Sequence, residues 1–383
     1  MPANAGRALI VDEGTSWSTL CAVRALARSG WSVTVGCPGA RGIAAASRHV
    51  DAVHDVPSLA EGIEPFESAL RDALARSRAE VVFGGGDAEV LALSLLHDRL
   101  DAVVPYPDEA RVRRAFDKWE LLEAARRVGL GVPPSAIEAP AGPITYPVLV
   151  KSRRHWDPAH RVDATRLEAT VATTGDEVDA AMARIRAAGG DPIVQEFVDG
   201  EHLSVVLLRA RDGRVLGRVH QRIEHRWPVP AGWTVRARTV PVDTDLDAGC
   251  RALLEDLEWC GLVELEFIRG ADGVARLIDF NGRHYGSMEL AVAAGVDLPT
   301  LWALDATRRP VAPAPEARVG VRFQRLGGDL RRALADRSRR TAGSVLGTLG
   351  YAWGAHHSTL RLRDPRPALE YLAATASGRR ARA

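Results

Sequence analysis

Acidic and amide side chains alternate along two apolar runs, Leu262–Ile268 and Val274–Phe280, that are joined by a short turn. Glu266 lies in the first run, and Asp279 lies in the second with Asn281 two residues beyond it. Because side chains alternate between the faces of a strand, Asp279 and Asn281 face the same side. Two carboxylates and an amide oxygen suit Mg²⁺, which also takes oxygens from substrate phosphates. The pattern predicts a metal site on a hairpin, with a polar, solvent-facing hairpin as the alternative.

Positively charged side chains form the second set of candidate functional residues. Arg283 follows Asn281 at the same two-residue spacing, where a guanidinium would suit a transferring phosphate or a substrate carboxylate. Of the 50 lysines and arginines, only Lys118 and Lys151 are lysine. A position that keeps lysine in such a sequence is expected to need a compact ammonium rather than a planar guanidinium, unless both lysines are there by chance.

Strand and helix signals alternate over the first hundred residues, which predicts a parallel, doubly wound sheet. The strand candidates are Arg7–Val11, Trp31–Val35, Ala52–Val56 and Glu80–Phe83, and the helix candidates are Ser18–Ser29 and Pro65–Arg78. The turn Gly84–Asp87 ends the last of these strands and either faces a substrate crevice or only reverses the chain. No GxGxxG follows the first strand, so a dinucleotide site there is not expected.

Beyond the break at Pro105–Pro107, one helix is followed mainly by strands. Helices are predicted over Asp108–Val128, Asp176–Ala188, Leu246–Cys260 and Ser287–Ala294, and further strands over Pro147–Lys151, Pro192–Val198, Leu203–Leu208 and Arg214–Gln221. The segment Arg309–Pro315 is predicted to be a linker, and the tail Glu316–Ala383 to hold one or two helices.

Bulk composition excludes several classes of protein. A chain of 383 residues is long enough for two or three packed units, at about 100–200 residues per domain. The net charge of +1 gives no field to gather nucleic acid or a membrane surface, and no apolar run approaches the roughly 20 residues of a membrane span. The N-terminus lacks a signal-peptide pattern, and the four cysteines are scattered without a CxxC. We therefore expect a cytoplasmic protein without nucleic-acid or membrane partners.

The order of the motifs resembles the ATP-grasp superfamily over roughly residues 1–310. Phe116-Asp117-Lys118 is similar to the family's helix start, whose lysine reaches the ATP phosphates. Tyr146–Lys151 resembles the strand whose last lysine contacts the α-phosphate region, and Pro192–Val205 resembles the hinge that binds adenine and ribose. The hairpin that ends in I-D-F-N-G-R resembles the family's metal-binding strands. Both lysines thus fall where the family needs lysine.

The resemblance implies an α/β (α+β) ATP-grasp fold in four parts. These are a Rossmann-like pre-grasp domain over residues 1–107, a small lobe over 108–200, a large lobe with the metal site over 201–310, and a C-terminal extension over 311–383.

The resemblance also implies ATP and Mg²⁺ (or Mn²⁺) as cofactors. The implied metal ligands are Glu266, Asp279 and Asn281. The implied nucleotide contacts are Lys118, Lys151, Gln195, Glu196, Phe197 and Val198, with Glu201 or His202 at the ribose. The implied catalytic residues are Arg222 and Arg283. The loop Ser152–Arg161 departs from the family because it has no glycine to cradle phosphates. Arg153, Arg154 or His155 would supply charge there instead, and a disordered basic loop is the alternative.

The activity implied is that of a carboxylate–amine ligase, which activates an acid as an acyl phosphate and releases ADP and phosphate. The expected partners are a small-molecule carboxylate and amine, and a second copy of the chain in a homodimer. Two alternatives stay open. One is carboxylation through carboxyphosphate, because a histidine at the ribose position, His202, is similar to the pattern of the biotin carboxylase branch. The other is nucleotide binding without turnover.

Overall fold

The computed structural model describes residues 5–137, 145–156, 169–229, 232–335, 341–358 and 360–376. Its N-terminal part is a parallel sheet of four strands in the order β3-β2-β1-β4. The strands are β1 (Gly6–Val11), β2 (Trp31–Cys37), β3 (Ala52–Asp55) and β4 (Val81–Gly84), and the helices are α1 (Trp17–Arg28), α2 (Ile63–Ser77) and α3 (Asp87–Leu95). Leu9, Ile10 and Val82 are fully buried, as expected for strands covered on both faces. The predicted parallel sheet is confirmed.

The single helix predicted over residues 108–128 is wrong, because the chain forms α4 (Glu109–Phe116) and α5 (Lys118–Arg127). Asp117 separates them: it ends α4, and its Oδ1 accepts hydrogen bonds from Trp119 N at 3.0 Å and Glu120 N at 3.3 Å. An aspartate that caps the first turn of a helix in this way competes with continuation of the preceding helix.

A small antiparallel sheet follows, in the order β5-β8-β6-β7. It consists of β5 (Ser135–Ala136), β6 (Val148–Ser152), β7 (Thr170–Ala172) and β8 (Pro192–Glu196), with α6 (Gly175–Ala187) packed on it. Val178, Met182 and Ile185 recur at helical spacing on α6 and bury against Val148 and Val150. This lobe therefore has a core of its own.

The large sheet has seven strands in the order β13-β12-β9-β10-β11-β14-β15. Its elements are β9 (Glu201–Arg209), β10 (Val215–Trp227), β11 (Trp233–Val240), α7 (Thr244–Asp256), β12 (Gly261–Arg269), β13 (Ala275–Asn281), α8 (Met288–Ala293), α9 (Leu298–Ala306), β14 (Arg322–Gln324) and β15 (His356–His357). Phe83, Trp302 and Leu265 belong to one continuous buried cluster, so the large sheet and the N-terminal sheet share a core.

The tail is more structured than the one or two helices predicted for it. It contributes β14 and β15 to the large sheet and forms α10 (Leu326–Ala335), α11 (Thr341–Ala352) and α12 (Arg366–Ala376). Tyr371 packs edge-on against Trp17, with ring centroids 4.7 Å apart, which joins α12 to α1. Among the described helices, none combines the length and apolarity that crossing a membrane requires.

Candidate functional site

Glu266, Asp279 and Asn281, which we call the acidic row, lie side by side on the large sheet. Glu266 stands opposite Asp279 in the β12–β13 pairing, and Glu264 stands opposite Asn281. Directly opposite residues of an antiparallel pair share a face, so these four side chains project to the same side. Asn281 Nδ2 donates to Glu266 Oε1 and to Glu264 Oε2, at 3.2 Å each.

Glu264 is a buried carboxyl group beside the acidic row, and it was not predicted from the sequence. It is 5% exposed, and burial, followed by the charge of Glu266, raises its pKa to about 8. Ser204 Oγ donates to Glu264 Oε1 at 3.0 Å, and Ser287 Oγ donates to Gln221 Oε1 at 2.8 Å beside it. Burial therefore disfavours a third negative charge beside Glu266 and Asp279.

Lys118 reaches the acidic row from α5. Its position at the first residue of that helix follows from the Asp117 cap, and Lys118 N donates to Arg153 O at 3.0 Å. The side chain is 8% exposed, and its Nζ lies 3.4 Å from Asp279 Oδ1. The helix start and the strand β13 thus bring a lysine and a carboxylate together from positions far apart in the sequence.

Lys151 approaches the same carboxylate from the small lobe. Its Nζ donates to Ile278 O at 3.0 Å, and burial, followed by the charge of Lys118, lowers the pKa of Lys151 to about 8. Burial alone would raise the pKa of Asp279, but Lys118, His155 and Lys151 together lower it. Asp279 therefore remains an ionised carboxylate among cations, which is the state that binds a metal.

Arg283 connects the acidic row to the N-terminal sheet. Its Nε donates to Asp87 Oδ1 at 2.6 Å and its Nη2 donates to Asn281 Oδ1 at 3.0 Å. Asp87, the first residue of α3, also pairs through Oδ2 with His155 Nδ1 at 2.6 Å. His155 Nε2 lies 3.1 Å from Lys118 Nζ. Residues from the start of α3, the loop after β6 and the large sheet therefore meet at one point.

The hinge between the small and large lobes follows β8. Gln195 is buried, and its Nε2 donates to Ser135 Oγ at 3.1 Å. Glu196 is exposed, while Phe197 and Val198 are half-buried in the link between the two sheets. The link that joins the two sheets is thus partly open to solvent.

Glu201 and His202, the two alternatives for a ribose contact, lie on opposite faces of β9. His202 shares a face with Ser204, which stands opposite Glu266, so its ring lies on the side of the acidic row. Glu201 faces the other side and pairs with Arg222, with 2.6 Å between Oε1 and Nε.

Arg222 is not brought to the acidic row, whereas Arg226 is. Arg226 Nη2 forms an ion pair with Glu266. The register of β10 shifts after Ile223, and such a bulge changes the face to which the following side chains point. Burial, followed by the charge of Arg226, lowers the pKa of His202 to about 4, so this imidazole is neutral near pH 7.

The donor chemistry of the acidic row fits Mg²⁺. Glu266 and Asp279 would supply carboxylate oxygens and Asn281 an amide oxygen, and Mg²⁺ commonly completes such a set with phosphate oxygens and water. Within the described ranges, no cluster of three or more histidine, cysteine or acidic side chains is arranged to hold a metal by itself. A donor set of two carboxylates and an amide suits a metal that arrives with a phosphate ligand.

Solved structures with the same fold cover most of the chain. The L-amino acid ligase of Bacillus licheniformis has a TM-score of 0.62 at 14% identity, over 82% of this chain and 79% of that one. The N5-carboxyaminoimidazole synthetase of Staphylococcus aureus has a TM-score of 0.63 at 12% identity, over 85% and 83%. A family model described as "ATP-grasp in the biosynthetic pathway with Ter operon" matches residues 190–328. Residues 190–328 thus match an ATP-grasp family, and the chain has the ATP-grasp fold.

A third ATP-grasp structure is similar over a comparable length. The biotin carboxylase domain dimer of Hydrogenobacter thermophilus 2-oxoglutarate carboxylase, solved with MgADP, ADP and bicarbonate, has a TM-score of 0.63 at 14% identity. It matches 83% of this chain and 73% of that one. No curated protein matches the chain. At such identities the solved structures establish the fold of this chain and not its reaction.

In this ATP-grasp protein, the predicted family and fold class are confirmed, and the predicted site residues fall into two groups. Lys118, Lys151, Arg283 and the acidic row converge, whereas Arg222 and Glu201 lie together on the other face of β9 and β10. The sequence analysis missed Glu264, although its two-residue spacing from Glu266 is a visible signal. The resemblance placed both Arg222 and Arg226 near the phosphate and substrate contacts, and Arg222 was preferred because the bulge that redirects Arg226 has no such signal.

Proposed function

We propose that this ATP-grasp protein is a carboxylate–amine ligase that forms an amide or peptide-type bond through an acyl phosphate and releases ADP and phosphate. ATP would bind between the small and large lobes, with adenine along Gln195–Val198. Lys118 and Lys151 would contact the phosphates as compact point charges. His202, rather than Glu201, would hold the ribose, because His202 faces the acidic row and its Nδ1 is buried with no partner among the described residues.

The proposed chemistry is phosphoryl transfer followed by aminolysis. A carboxylate oxygen of the acid attacks the γ-phosphorus, the bond to the bridging oxygen breaks, and ADP leaves. The amine nitrogen then attacks the carbonyl carbon, and phosphate leaves with the electrons of the C–O bond. Mg²⁺ bound at the acidic row would neutralise charge on the phosphate oxygens. Arg283 would grip the acid or its phosphorylated form through parallel hydrogen bonds.

The observation that carries this proposal is the position of Arg283 between Asn281 Oδ1 and Asp87 Oδ1, at 3.0 and 2.6 Å. One guanidinium links the end of the acidic row to a carboxylate of the N-terminal sheet. A carboxylate on the acceptor side would attract an ammonium group and repel bicarbonate. This arrangement supports an amine as the second substrate.

The test is incubation with Mg·ATP and pools of amino acids and other carboxylic acids. Nucleotides are separated chromatographically, phosphate is assayed, and products are identified by mass. We expect ADP and phosphate in equal amounts, dependent on the acids, together with a mass that corresponds to a condensation product. Stoichiometric AMP and pyrophosphate would overturn the proposal.

Two further outcomes separate the alternatives. Turnover that requires bicarbonate and gives a carboxylated product would identify a carboxylase. Nucleotide binding without turnover, across pools of acids and amines of broad composition, would identify a binding protein. An Asp279→Asn variant is the control, since turnover that depends on the acidic row must fall in it.

A further inference from the structure

The loop after β6 presents a histidine where a glycine-containing loop was expected from the resemblance. His155 lies between Asp87 and Lys118, with Nδ1 2.6 Å from Asp87 Oδ2 and Nε2 3.1 Å from Lys118 Nζ. Its side chain is 32% exposed, so it lines accessible space rather than the core. Neither the phosphate contacts nor the metal ligands proposed above use this residue.

The two neighbours fix the tautomer of His155. An ammonium has three N–H donors and no acceptor, so Lys118 donates and His155 Nε2 must accept. The other ring nitrogen, Nδ1, then carries the proton and donates it to the Asp87 carboxylate. The imidazole therefore offers an accepting lone pair on the side of Lys118, and Asp87 holds the ring in that orientation.

We propose that His155, oriented by Asp87, accepts the proton of the amine substrate as it attacks the acyl phosphate. This inference rests on the proposed ligase function and adds a catalytic residue to it. As the C–N bond forms, the amine N–H proton passes to His155 Nε2. The tetrahedral intermediate then collapses. The bond between the carbonyl carbon and the phosphate oxygen breaks, and phosphate leaves with the electron pair of that bond. Asp87 stabilises the resulting imidazolium and acts as a positioning residue.

The surroundings support this role. Asp87 also accepts from Arg283 Nε at 2.6 Å, so the proposed grip on the acid and the proposed proton acceptor share one carboxylate. In the free protein, Lys118 Nζ donates to His155 Nε2. Lys118 is also the residue proposed to turn to the phosphates, which would free this nitrogen to accept a proton. The charge of Lys118, followed by burial, lowers the pKa of His155, which keeps the ring neutral and able to take a proton.

A narrow cleft of about 20 Å³, enough for about one water molecule, lies beside His155. Leu91, Phe116 and Trp156 provide apolar lining, and Asp87, Arg113 and Arg154 lie at its edges. The amine nitrogen would approach His155 Nε2 from the side of Lys118, once Lys118 has turned to the phosphates.

The experiment compares two nucleophiles in His155→Gln, which keeps a polar side chain but removes the accepting ring nitrogen. Both nucleophiles lose an N–H proton, but hydroxylamine is largely unprotonated near pH 7 and reactive enough to trap acyl phosphates without a catalytic base, whereas an ordinary amine needs one. With the pooled acids, Mg·ATP and either hydroxylamine or the pooled amines, hydroxamate reports activation and amide reports aminolysis. His97→Gln is the matched control, since His97 Nδ1 pairs with Asp98 Oδ1 at 3.0 Å in an exposed acid–histidine pair.

We expect His155→Gln to keep hydroxamate formation within about threefold and to lose amide formation by about 10²-fold or more, the usual size of general base catalysis. His97→Gln should match the wild type in both assays. An equal fall in both products would assign His155 to nucleotide or phosphate binding and overturn the proposal, as would unchanged amide formation. If His155→Gln does not fold, His155→Asn is measured in the same way. Wild-type protein that forms neither product would overturn the ligase function itself.

Discussion

Two clusters of buried charge differ in how completely their groups are satisfied. At the junction between the tail and the N-terminal sheet, Arg24 and Asp364 are 1% and 2% exposed, with 2.8 Å between Nε and Oδ2. Asp364 also accepts from Ser47 Oγ at 2.8 Å and from Arg48 N at 3.0 Å. At the acidic row, Asp279 is 30% exposed and its ion pair with Lys118 is long, at 3.4 Å.

The difference separates a structural cluster from a functional one. A carboxylate saturated by hydrogen bonds and closed to solvent has no capacity left for a ligand, so Asp364 only joins two parts of the fold. In the acidic row, the Asp279 carboxylate keeps solvent access, and a metal and phosphates can replace its long pair with Lys118. We therefore expect the junction to control stability and the acidic row to control turnover.

The largest expected effect on stability is that of Arg24→Met. It leaves the Asp364 carboxylate buried without its cation, which typically costs about 3–5 kcal/mol. Urea unfolding followed by circular dichroism measures the loss. Arg214→Gln is the control, because Arg214 pairs with Asp212 at 2.7 Å on the surface, and such pairs contribute only about 0–1 kcal/mol. If Arg24→Met lowers the free energy of unfolding no more than the control does, the two clusters do not differ in their contribution to stability.

Lys151→Met should have the largest effect on turnover while leaving the fold intact. Removing a preorganised cation from a phosphoryl-transfer site costs about 10²–10³-fold, so we expect a fall of that size in kcat/KM for ATP. Because burial and Lys118 already disfavour the ammonium in the free protein, the urea midpoint should not fall. Steady-state kinetics and unfolding on one preparation test both statements. Unchanged kinetics would place the nucleotide elsewhere.

Arg283→Lys should show an intermediate effect confined to the acid substrate. Lysine keeps the charge but cannot form the paired hydrogen bonds of a guanidinium, so kcat/KM for the acid should fall at least about tenfold, or roughly 1.4 kcal/mol. Affinity for ATP should stay at its wild-type value in a direct binding measurement. Retained kcat/KM in a well-folded variant would show that Arg283 only ties Asp87 to the large sheet.

Arg222→Gln should have the smallest effect, within about twofold in kcat/KM, because its partner Glu201 lies on the face away from the acidic row. Arg226→Gln is the paired comparison, since Arg226 contacts Glu266 directly. If Arg222→Gln impairs turnover as much as Arg226→Gln, the assignment of faces is wrong in this part of β9 and β10.

Periodic features of the fold were predictable from the sequence, and features set by single contacts were not. Two apolar runs joined by a short turn indicated the hairpin, and two-residue spacing indicated the face shared by Asp279 and Asn281. The break between α4 and α5 was missed because the apolar periodicity continues across it and only the Asp117 cap interrupts it. The strands β14 and β15 are three and two residues long, too short for any period to show.

The candidate site shows the same limit. Scarcity and motif order drew attention to Lys118 and Lys151 because those signals are local. The pair His155–Asp87 joins residues 68 positions apart and depends on how the loop after β6 packs against the N-terminal sheet. Such a contact follows from the tertiary fold, for which one sequence gives no local signal.

The most direct test of the central claim is the transfer of ¹⁸O from the acid to phosphate. The acid identified in the pooled screen is prepared with ¹⁸O in its carboxylate and incubated with Mg·ATP and the amine, and the released phosphate is analysed by mass spectrometry. When the amine attacks an acyl phosphate, the phosphate that leaves takes one oxygen of the original carboxylate with it. We therefore predict one ¹⁸O in each phosphate released with the amide product. Unlabelled phosphate, or label recovered in AMP, would contradict the account.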